Sequence, residues 1–120
     1  MFQLDLKSGV PISDQIVNGF IKLTALGILS GGEKMPSVRS LASQFSVNPN
    51  TVQKAYTLLE QNGIIYSVKG KGSFVSDDEH SHKAIIDGAT KEFCRAVRTA
   101  HQLGLTKDDL IKCIEREADV

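Results

Sequence analysis

Apolar residues recur with helical spacing in several separate segments of the chain. The first such segment begins at Pro11 and ends before Gly27, with an apolar residue at every third or fourth position. This spacing predicts an amphipathic helix that has Pro11 near its first turn and Gly27 as a left-handed cap. The predicted apolar face consists of Ile12, Ile16, Phe20, Leu23 and Leu26.

The residues before this helix follow a different pattern. Phe2, Leu4 and Leu6 alternate with polar residues, which is a period of two. The alternation predicts a short β-strand that ends at the Ser8-Gly9 turn.

Two further helices are predicted close together. Ser37 precedes an apolar stripe and can cap the start of a helix that ends near Ser46. Asn48-Pro49 is typical of the cap and first position of a third helix, and Asn62-Gly63 terminates that helix. Helices joined by so few residues must cross steeply, which is the helix-turn-helix arrangement. The predicted buried face of the third helix consists of Val52, Ala55, Tyr56 and Leu59.

Two short runs rich in β-forming residues come next. They surround the sequence KGKG, and this pattern predicts a β-hairpin. A helix, a helix-turn-helix and a hairpin in this order make a winged helix-turn-helix domain, which we assign to residues 1–75. The expected fold class is therefore mainly α with a small β wing.

The C-terminal segment, residues 76–120, has two helical patterns after a polar connector. Apolar residues repeat every seven positions in two series offset by three, up to Gly104, which is a heptad seam. Thr106 and Asp109 resemble a capping box that starts a shorter helix. A helical hairpin with two apolar faces cannot readily enclose its own core, so we expect it to dimerise with a second copy; packing on the chain's own first helix is the alternative. The predicted seam consists of Ile86, Ala89, Phe93, Ala96, Ala100 and Leu103.

Length and composition restrict the class of protein. The chain has 120 residues, of which 41% are apolar and 23% charged. These values suit one globular domain with a small appended segment. A (β/α)₈ barrel, which needs about 250 residues, is excluded. No apolar run approaches the ~20 residues that cross a membrane, and the N-terminus lacks the order of a secretion signal. We therefore expect a cytoplasmic protein with no membrane contact.

Charge is distributed unevenly although the totals cancel at 14 basic and 14 acidic residues. Residues 34–71 contain five Lys and Arg side chains and one acidic residue, Glu60, a balance of +4, and acidic segments flank them. A basic middle is typical of a nucleic-acid-binding face. Chance clustering on a solvated surface fits the charge equally well.

No catalytic or metal site is indicated. Cys94 and Cys113 have neither zinc-ligand spacing nor a disulfide framework, and we expect buried thiols, with an intersubunit disulfide, redox sensing or metal sensing as the alternatives. His80 and His82 lie in an acidic connector, which favours solvated side chains over a metal site. No nucleophile–base or paired-carboxylate arrangement has motif spacing, so we expect neither an enzyme nor a cofactor.

Several motifs within residues 32–75 occur in a specific order. They are Pro-Ser-x-Arg-x-Leu-Ala from Pro36, the Thr-Val start of the third helix, Leu-Glu-x-x-Gly-Ile from Leu59 and Gly-x-Gly-x-Phe-Val from Gly70. Together they resemble the GntR family of bacterial winged-helix transcriptional regulators. The Pro11-Ile12 pair, the phrase VNPNTVQKAY and the short tail are further similar to the YtrA-type subfamily. That resemblance implies a homodimeric, sequence-specific DNA-binding regulator, expected to be a repressor, with a two-helix dimerisation region and without the larger ligand-binding domain of other branches.

The resemblance also implies which residues contact DNA. Family members place the third helix in the major groove and the wing at the minor groove. Polar side chains in the first turns of this helix have the donors and acceptors that reach base edges or phosphates, and wing lysines neutralise phosphates. The predicted DNA-binding residues are Ser37, Arg39, Asn50, Thr51, Gln53, Lys54, Lys69, Gly70 and Lys71.

One departure from the family limits the transfer of an operator sequence. Pro49 and Gln53 occupy positions where many members carry arginine, so arginine–guanine pairing is absent there.

A dimer would set its two recognition helices, the third helix of each chain, ~34 Å apart on a palindromic double-stranded operator. A small-molecule effector, if one exists, would need a pocket at the dimer or domain junction. The alternative function is a winged-helix protein-interaction module without specific DNA binding.

Overall fold

A computed structural model of the chain describes residues 1–118. Within this part of the chain, five helices and two strands follow one another, which confirms the mainly α fold with a small β wing. No helix in it is long and apolar enough to span a bilayer. The elements are α1 (Ile12–Ala25), α2 (Val38–Phe45), α3 (Pro49–Gln61), β1 (Ile65–Val68), β2 (Gly72–Val75), α4 (Glu79–Gln102) and α5 (Lys107–Ala118).

The chain divides into two compact units, and the first consists of Met1–Lys83. It contains the three helices and the hairpin of the winged helix together with the first turn of α4. That turn belongs to the first unit because Ser81 lies against Gly63: the Ser81 Oγ is 2.6 Å from the position that a Cβ would occupy there. The second unit begins at Ala84, eight residues beyond the start of the predicted C-terminal segment.

The core of the first unit forms where α3 packs against both α1 and α2. All four residues predicted for the buried face of α3 are buried, and the strand residues Ile65 and Val75 cover the same core. On α1 the prediction holds for the central residues Ile16, Phe20 and Leu23. It is wrong for Leu26, which is 63% exposed, because the helix ends at Ala25 and Leu26 is already its C-cap.

Both helices of the helix-turn-helix start at the predicted caps. The Ser37 Oγ accepts a hydrogen bond from the Ser40 backbone N–H at 3.0 Å. The Asn48 Oδ1 accepts one from the Asn50 N–H at 2.8 Å, and Pro49 occupies the first helical position. These bonds satisfy amides that have no partner within the helix.

The predicted N-terminal strand is absent. Residues 1–5 have no regular structure and lead into a turn. The ring of Phe2 lies 5.2 Å from that of Phe20 and 5.3 Å from that of Phe45, measured between centroids. The Gln15 side chain accepts a hydrogen bond from the Asp5 N–H and donates one to the Asp5 carbonyl oxygen, each at 2.7 Å. The segment therefore satisfies its polar groups through a glutamine side chain instead of a neighbouring strand.

The wing is an antiparallel hairpin with a third, unpredicted partner. Ile65 pairs with Val75, and Val68 pairs with Gly72 across the connection. On its other side β2 pairs with the segment before α2: the Met35 N–H donates to the Ser73 carbonyl at 2.8 Å, and the Val75 N–H donates to the Glu33 carbonyl at 2.8 Å. This segment, residues 33–35, forms only one isolated bridge, so the sequence pattern did not reveal it.

The second unit contains the predicted helical hairpin. The capping box is confirmed, because the Thr106 N–H donates to the Asp109 carboxylate at 2.8 Å and the Asp109 N–H donates to the Thr106 hydroxyl at 3.2 Å. The hydrogen bond from the Thr106 backbone holds the pKa of Asp109 below its usual value. Neither α4 nor α5 contains a buried residue. The expected burial of the thiols is therefore wrong: Cys94 is exposed and Cys113 is partly exposed, since the helices carrying them enclose no core within one chain.

Candidate nucleic-acid interface

The turn between α2 and α3 sets the position of the third helix. Ser46 adopts a left-handed backbone conformation with φ of +56°. The Val47 N–H then donates to the Ala42 carbonyl oxygen at 3.0 Å, which closes the end of α2. Asn48 begins α3 directly afterwards, so the two helices are held in one fixed relation.

The face of α3 opposite the core carries short polar side chains. Asn50, Gln53, Lys54 and Thr57 are exposed, and we refer to them as the α3 polar row. They lie three or four positions apart and therefore share one side of the helix. The Gln53 amide donates a long hydrogen bond of 3.4 Å to the Thr57 hydroxyl. Thr51, which was also predicted to contact DNA, is half-buried beside this row.

Two predicted contact residues lie at the start of α2. Arg39 is the second residue of the helix, and its side chain is exposed. Ser37 has its hydroxyl oxygen engaged as the helix cap. Its position at the protein surface leaves the hydroxyl hydrogen free to donate outward.

A hydrogen bond that sequence reasoning missed joins α3 to the beginning of α2. The Tyr56 hydroxyl donates to the Pro36 carbonyl oxygen at 2.6 Å. Burial raises the pKa of Tyr56 well above its usual value, so the hydroxyl keeps its proton. A tyrosine on a predicted buried face signals that its hydroxyl needs a partner, but the sequence does not say which one.

The wing tip consists of Lys69, Gly70 and Lys71, all of them exposed. Gly70 has φ of +77° and bears no side chain, so the backbone there can approach a ligand closely. The Lys71 N–H donates to the Val68 carbonyl at 2.9 Å, which closes the turn. Below the tip, the rings of Tyr66 and Phe74 stack across the two strands at 5.8 Å.

Lys34 is a basic residue near the wing that the site prediction omitted. Its Cε lies 3.2 Å, and its ammonium 4.0 Å, from the position that a Cβ would occupy at Gly72. The lysine side chain therefore lies over the wing backbone, next to Lys71. Its contribution to the basic balance of residues 34–71 was the available signal, but nothing in the sequence placed it at the wing.

In the second unit, an apolar groove of about 530 Å³ runs between α4 and α5. Of the predicted seam, the groove brings together Phe93, Ala96 and Ala100. The other three seam residues, Ile86, Ala89 and Leu103, are exposed and do not line it. The groove is also lined by residues of α5 and the turn before it, namely Leu105, Leu110, Cys113 and Ile114. We call this surface the α4–α5 groove.

The acidic connector caps α4. The Asp78 carboxylate accepts hydrogen bonds from the His80 N–H at 3.0 Å and the Ser81 hydroxyl at 2.9 Å. The bond from Ser81 lowers the pKa of Asp78. The His82 Nδ1 donates to the Asp78 carbonyl at 3.0 Å. No group of three or more His, Cys, Asp and Glu residues between positions 1 and 118 is arranged to hold a metal ion.

A polar row on the second helix of a helix-turn-helix, beside a hairpin with a lysine-bearing tip, defines a winged-helix DNA-binding transcriptional regulator. The profile of the bacterial regulatory proteins of the gntR family matches residues 13–75. The chain belongs to the GntR family, as its motifs predicted. It is accordingly a regulator and not an enzyme.

Known relatives support this assignment over the whole chain. The HTH-type transcriptional repressor YtrA of Bacillus subtilis is 37% identical over 125 residues, covering 100% of this chain and 95% of that protein. A crystal structure of a transcriptional antiterminator from Listeria monocytogenes has a TM-score of 0.78 and 34% identity, with 98% of this chain and 90% of that chain covered. The DNA-binding domain of AraR in complex with operator ORE1 has a TM-score of 0.54 and 32% identity, covering 63% of this chain and 95% of that one.

Proposed function

We propose that the protein is a repressor that binds a palindromic DNA operator as a homodimer. The observation that carries this proposal is the α3 polar row, which is exposed on a helix whose opposite face is fully committed to the core. The donors and acceptors of these side chains match those of base edges in the major groove.

Each region of the interface has a separate role in this proposal. Asn50, Gln53 and Lys54, with Thr51 beside them, face the bases. Arg39 and the wing-tip lysines contact phosphates, and Gly70 allows the wing backbone to approach the DNA. Because Gln53 and Pro49 replace the arginines of many family members, base reading depends on two amides, one hydroxyl and one ammonium group. Side-chain amides pair bidentately with adenine, so the operator should differ from the guanine-containing operators that recognition-helix arginines would read.

The second unit supports the homodimer. Its two helices expose Phe93, Ile111 and Ile114 at 40–52%, and the α4–α5 groove lies open between them. Helices of a soluble protein bury an apolar face against something, and a second copy of the chain is the partner that is always present. We propose that residues 76–120 dimerise and that residues 1–75 bind DNA, with the recognition helices ~34 Å apart.

The relatives support the direction of regulation. YtrA of Bacillus subtilis is a repressor, and the AraR domain is bound to an operator. A repressor of this kind acts on chromosomal DNA, so we place the protein in the cytoplasm. A small-molecule effector would regulate it only by binding the DNA-competent dimer and another state with different affinities.

Binding of DNA from the protein's own promoter region tests this proposal. Fluorescence anisotropy at two salt concentrations should show tight, salt-sensitive binding to this duplex and weaker binding to a scrambled duplex of equal length. Asn50→Ala should reduce the affinity for the promoter duplex by about tenfold, the value of one base contact, and leave binding to the scramble unchanged. Asn18→Ala, at an exposed asparagine of α1, is the matched control and should change neither.

The contrary result is equal binding of both duplexes. A selection from random sequence would then decide whether the operator lies elsewhere. If no sequence is enriched, the protein-interaction module becomes the better reading.

A further inference from the structure

A depression of about 360 Å³ lies between the start of α2 and the wing. Ser37 and Tyr56 line it on the helical side, and Lys71 and Ser73 line it on the wing side; Lys34 completes it. Among these lining residues, the charged side chains are those of Lys34 and Lys71. The depression is therefore a positively charged concavity, in which two serines lie among partly apolar walls.

The backbone of Lys34 is held firmly in place. Both of its neighbours in the chain are hydrogen-bonded to β2. The Glu33 carbonyl oxygen accepts from the Val75 N–H, and the Met35 N–H donates to the Ser73 carbonyl oxygen, each at 2.8 Å. The side chain then extends across Gly72, with its ammonium 4.0 Å from the position of a Cβ there.

Glycine at position 72 is required by this arrangement. Its φ of +110° lies in the region that favours glycine, and a Cβ would approach the Lys34 Cε to 3.2 Å. A side chain at this position would strain the backbone and would push the end of the Lys34 side chain outward by a few tenths of an ångström.

Two lysines lining one depression favour an anion. The first turn of α2 contains no acidic residue, and its free amides add positive potential on the same side. The Ser37 and Ser73 hydroxyls supply further donors to an oxyanion. This donor set suits a phosphate group that enters the open depression from the solvent side.

We infer that this depression binds a backbone phosphate of DNA, with Lys34 and Lys71 as the counter-charges. The inference rests on the proposed function, because Ser37 begins the helix that carries Arg39 and Lys71 belongs to the wing tip. It adds Lys34 as a contact residue that positions the wing on the duplex without reading its sequence.

Lys34→Gln tests the assignment, with Lys22→Gln, at an exposed lysine in the last turn of α1, as the matched control. Affinities are measured by anisotropy on promoter and scrambled duplexes over a range of salt concentrations. Lys34→Gln should lower the affinity for both duplexes by the same factor, about fivefold at low salt, and reduce the salt slope by about 1 per protomer. Lys22→Gln should change neither, and Lys34→Arg should restore both. Unchanged far-UV circular dichroism verifies the fold of each variant.

Two outcomes would overturn the inference while leaving the proposed function intact. One is Lys34→Gln behaving like Lys22→Gln. The other is a loss of affinity confined to the promoter duplex, which would indicate a base contact. Conversely, equal wild-type binding to both duplexes would count against sequence-specific regulation, yet a reduced salt slope in Lys34→Gln would still support the phosphate site. If the wild-type chain binds no DNA at all, both proposals are wrong.

Discussion

The hydroxyl of Tyr56 donates a 2.6 Å hydrogen bond to the carbonyl oxygen of Pro36, 20 residues earlier in the chain. Tyr56 belongs to the buried face of α3, and Pro36 directly precedes the cap of α2. The bond therefore joins the helix that carries the α3 polar row to the start of the helix that carries Arg39.

Replacing Tyr56 by phenylalanine should lower the free energy of unfolding by about 1 kcal/mol, because the Pro36 carbonyl loses its hydrogen bond in a largely buried site. Urea unfolding followed by circular dichroism measures this change. Tyr66→Phe is the matched control, since Tyr66 is 44% exposed on the wing and should have an effect within about 0.5 kcal/mol. Equal stability of the two variants would show that the bond contributes nothing.

Alkaline pH should destabilise the protein through the same side chain. Burial raises the pKa of Tyr56 above the ordinary 10.0, so above about pH 10 the unfolded chain releases this proton while the folded chain retains it. The unfolded state then binds fewer protons, and the free energy of unfolding falls as the pH rises. Unfolding titrations from pH 9 upward should show a shallower decline for Tyr56→Phe than for the wild type. Parallel curves would contradict the burial of a protonated hydroxyl.

Two glycines should respond in opposite directions to replacement by alanine. Gly63 has φ of +74°, and a Cβ there would lie 2.6 Å from the Ser81 Oγ, so Gly63→Ala should destabilise by about 1 to 2 kcal/mol. Gly88 lies inside α4 with open space around its Cβ position, and Gly88→Ala should stabilise by about 0.5 to 1 kcal/mol. Urea unfolding at equal protein concentration compares them. A stabilising Gly63→Ala would mean that the α3 terminus does not require its left-handed residue.

Replacing Phe93 by aspartate should dissociate the proposed dimer. Phe93 is 52% exposed in the single chain and lines the α4–α5 groove, so a carboxylate there would be desolvated in a paired interface. Light scattering should report a mass near 13.1 kDa in place of twice that value, and operator affinity should fall by at least tenfold. Lys91→Asp, on the outer face of the heptad pattern, should remain dimeric. A dimeric Phe93→Asp would show that the seam assignment is wrong.

Local signals in the sequence predicted much of the winged helix. Ser37 and Asn48 cap their helices by bonds that span only two or three residues. The four apolar positions of α3 repeat with the helical period, and all are buried. Such features depend on neighbours along the chain, so a pattern of residues is sufficient to identify them.

Features that depend on distant residues were missed or misread. The alternation of Phe2, Leu4 and Leu6 predicted a strand, but a strand also needs a pairing partner within reach, and Phe2 instead joins an aromatic cluster with Phe20 and Phe45. The third partner of the wing is about 40 residues from β2 along the chain and has only one bridge. No periodicity can be recognised in a single pair.

The amino-acid sequence was sufficient to predict the class of this protein: the caps of α2 and α3, the buried face of α3, the wing and the family motifs. These are encoded by spacing and by residues with restricted backbone preferences. Three-dimensional packing was needed to establish that Tyr56 bonds to Pro36, that Lys34 lies over Gly72 and that α4 and α5 leave an open groove. Each of these relations depends on a separation in space between residues that are remote along the chain, and only the folded chain defines that distance.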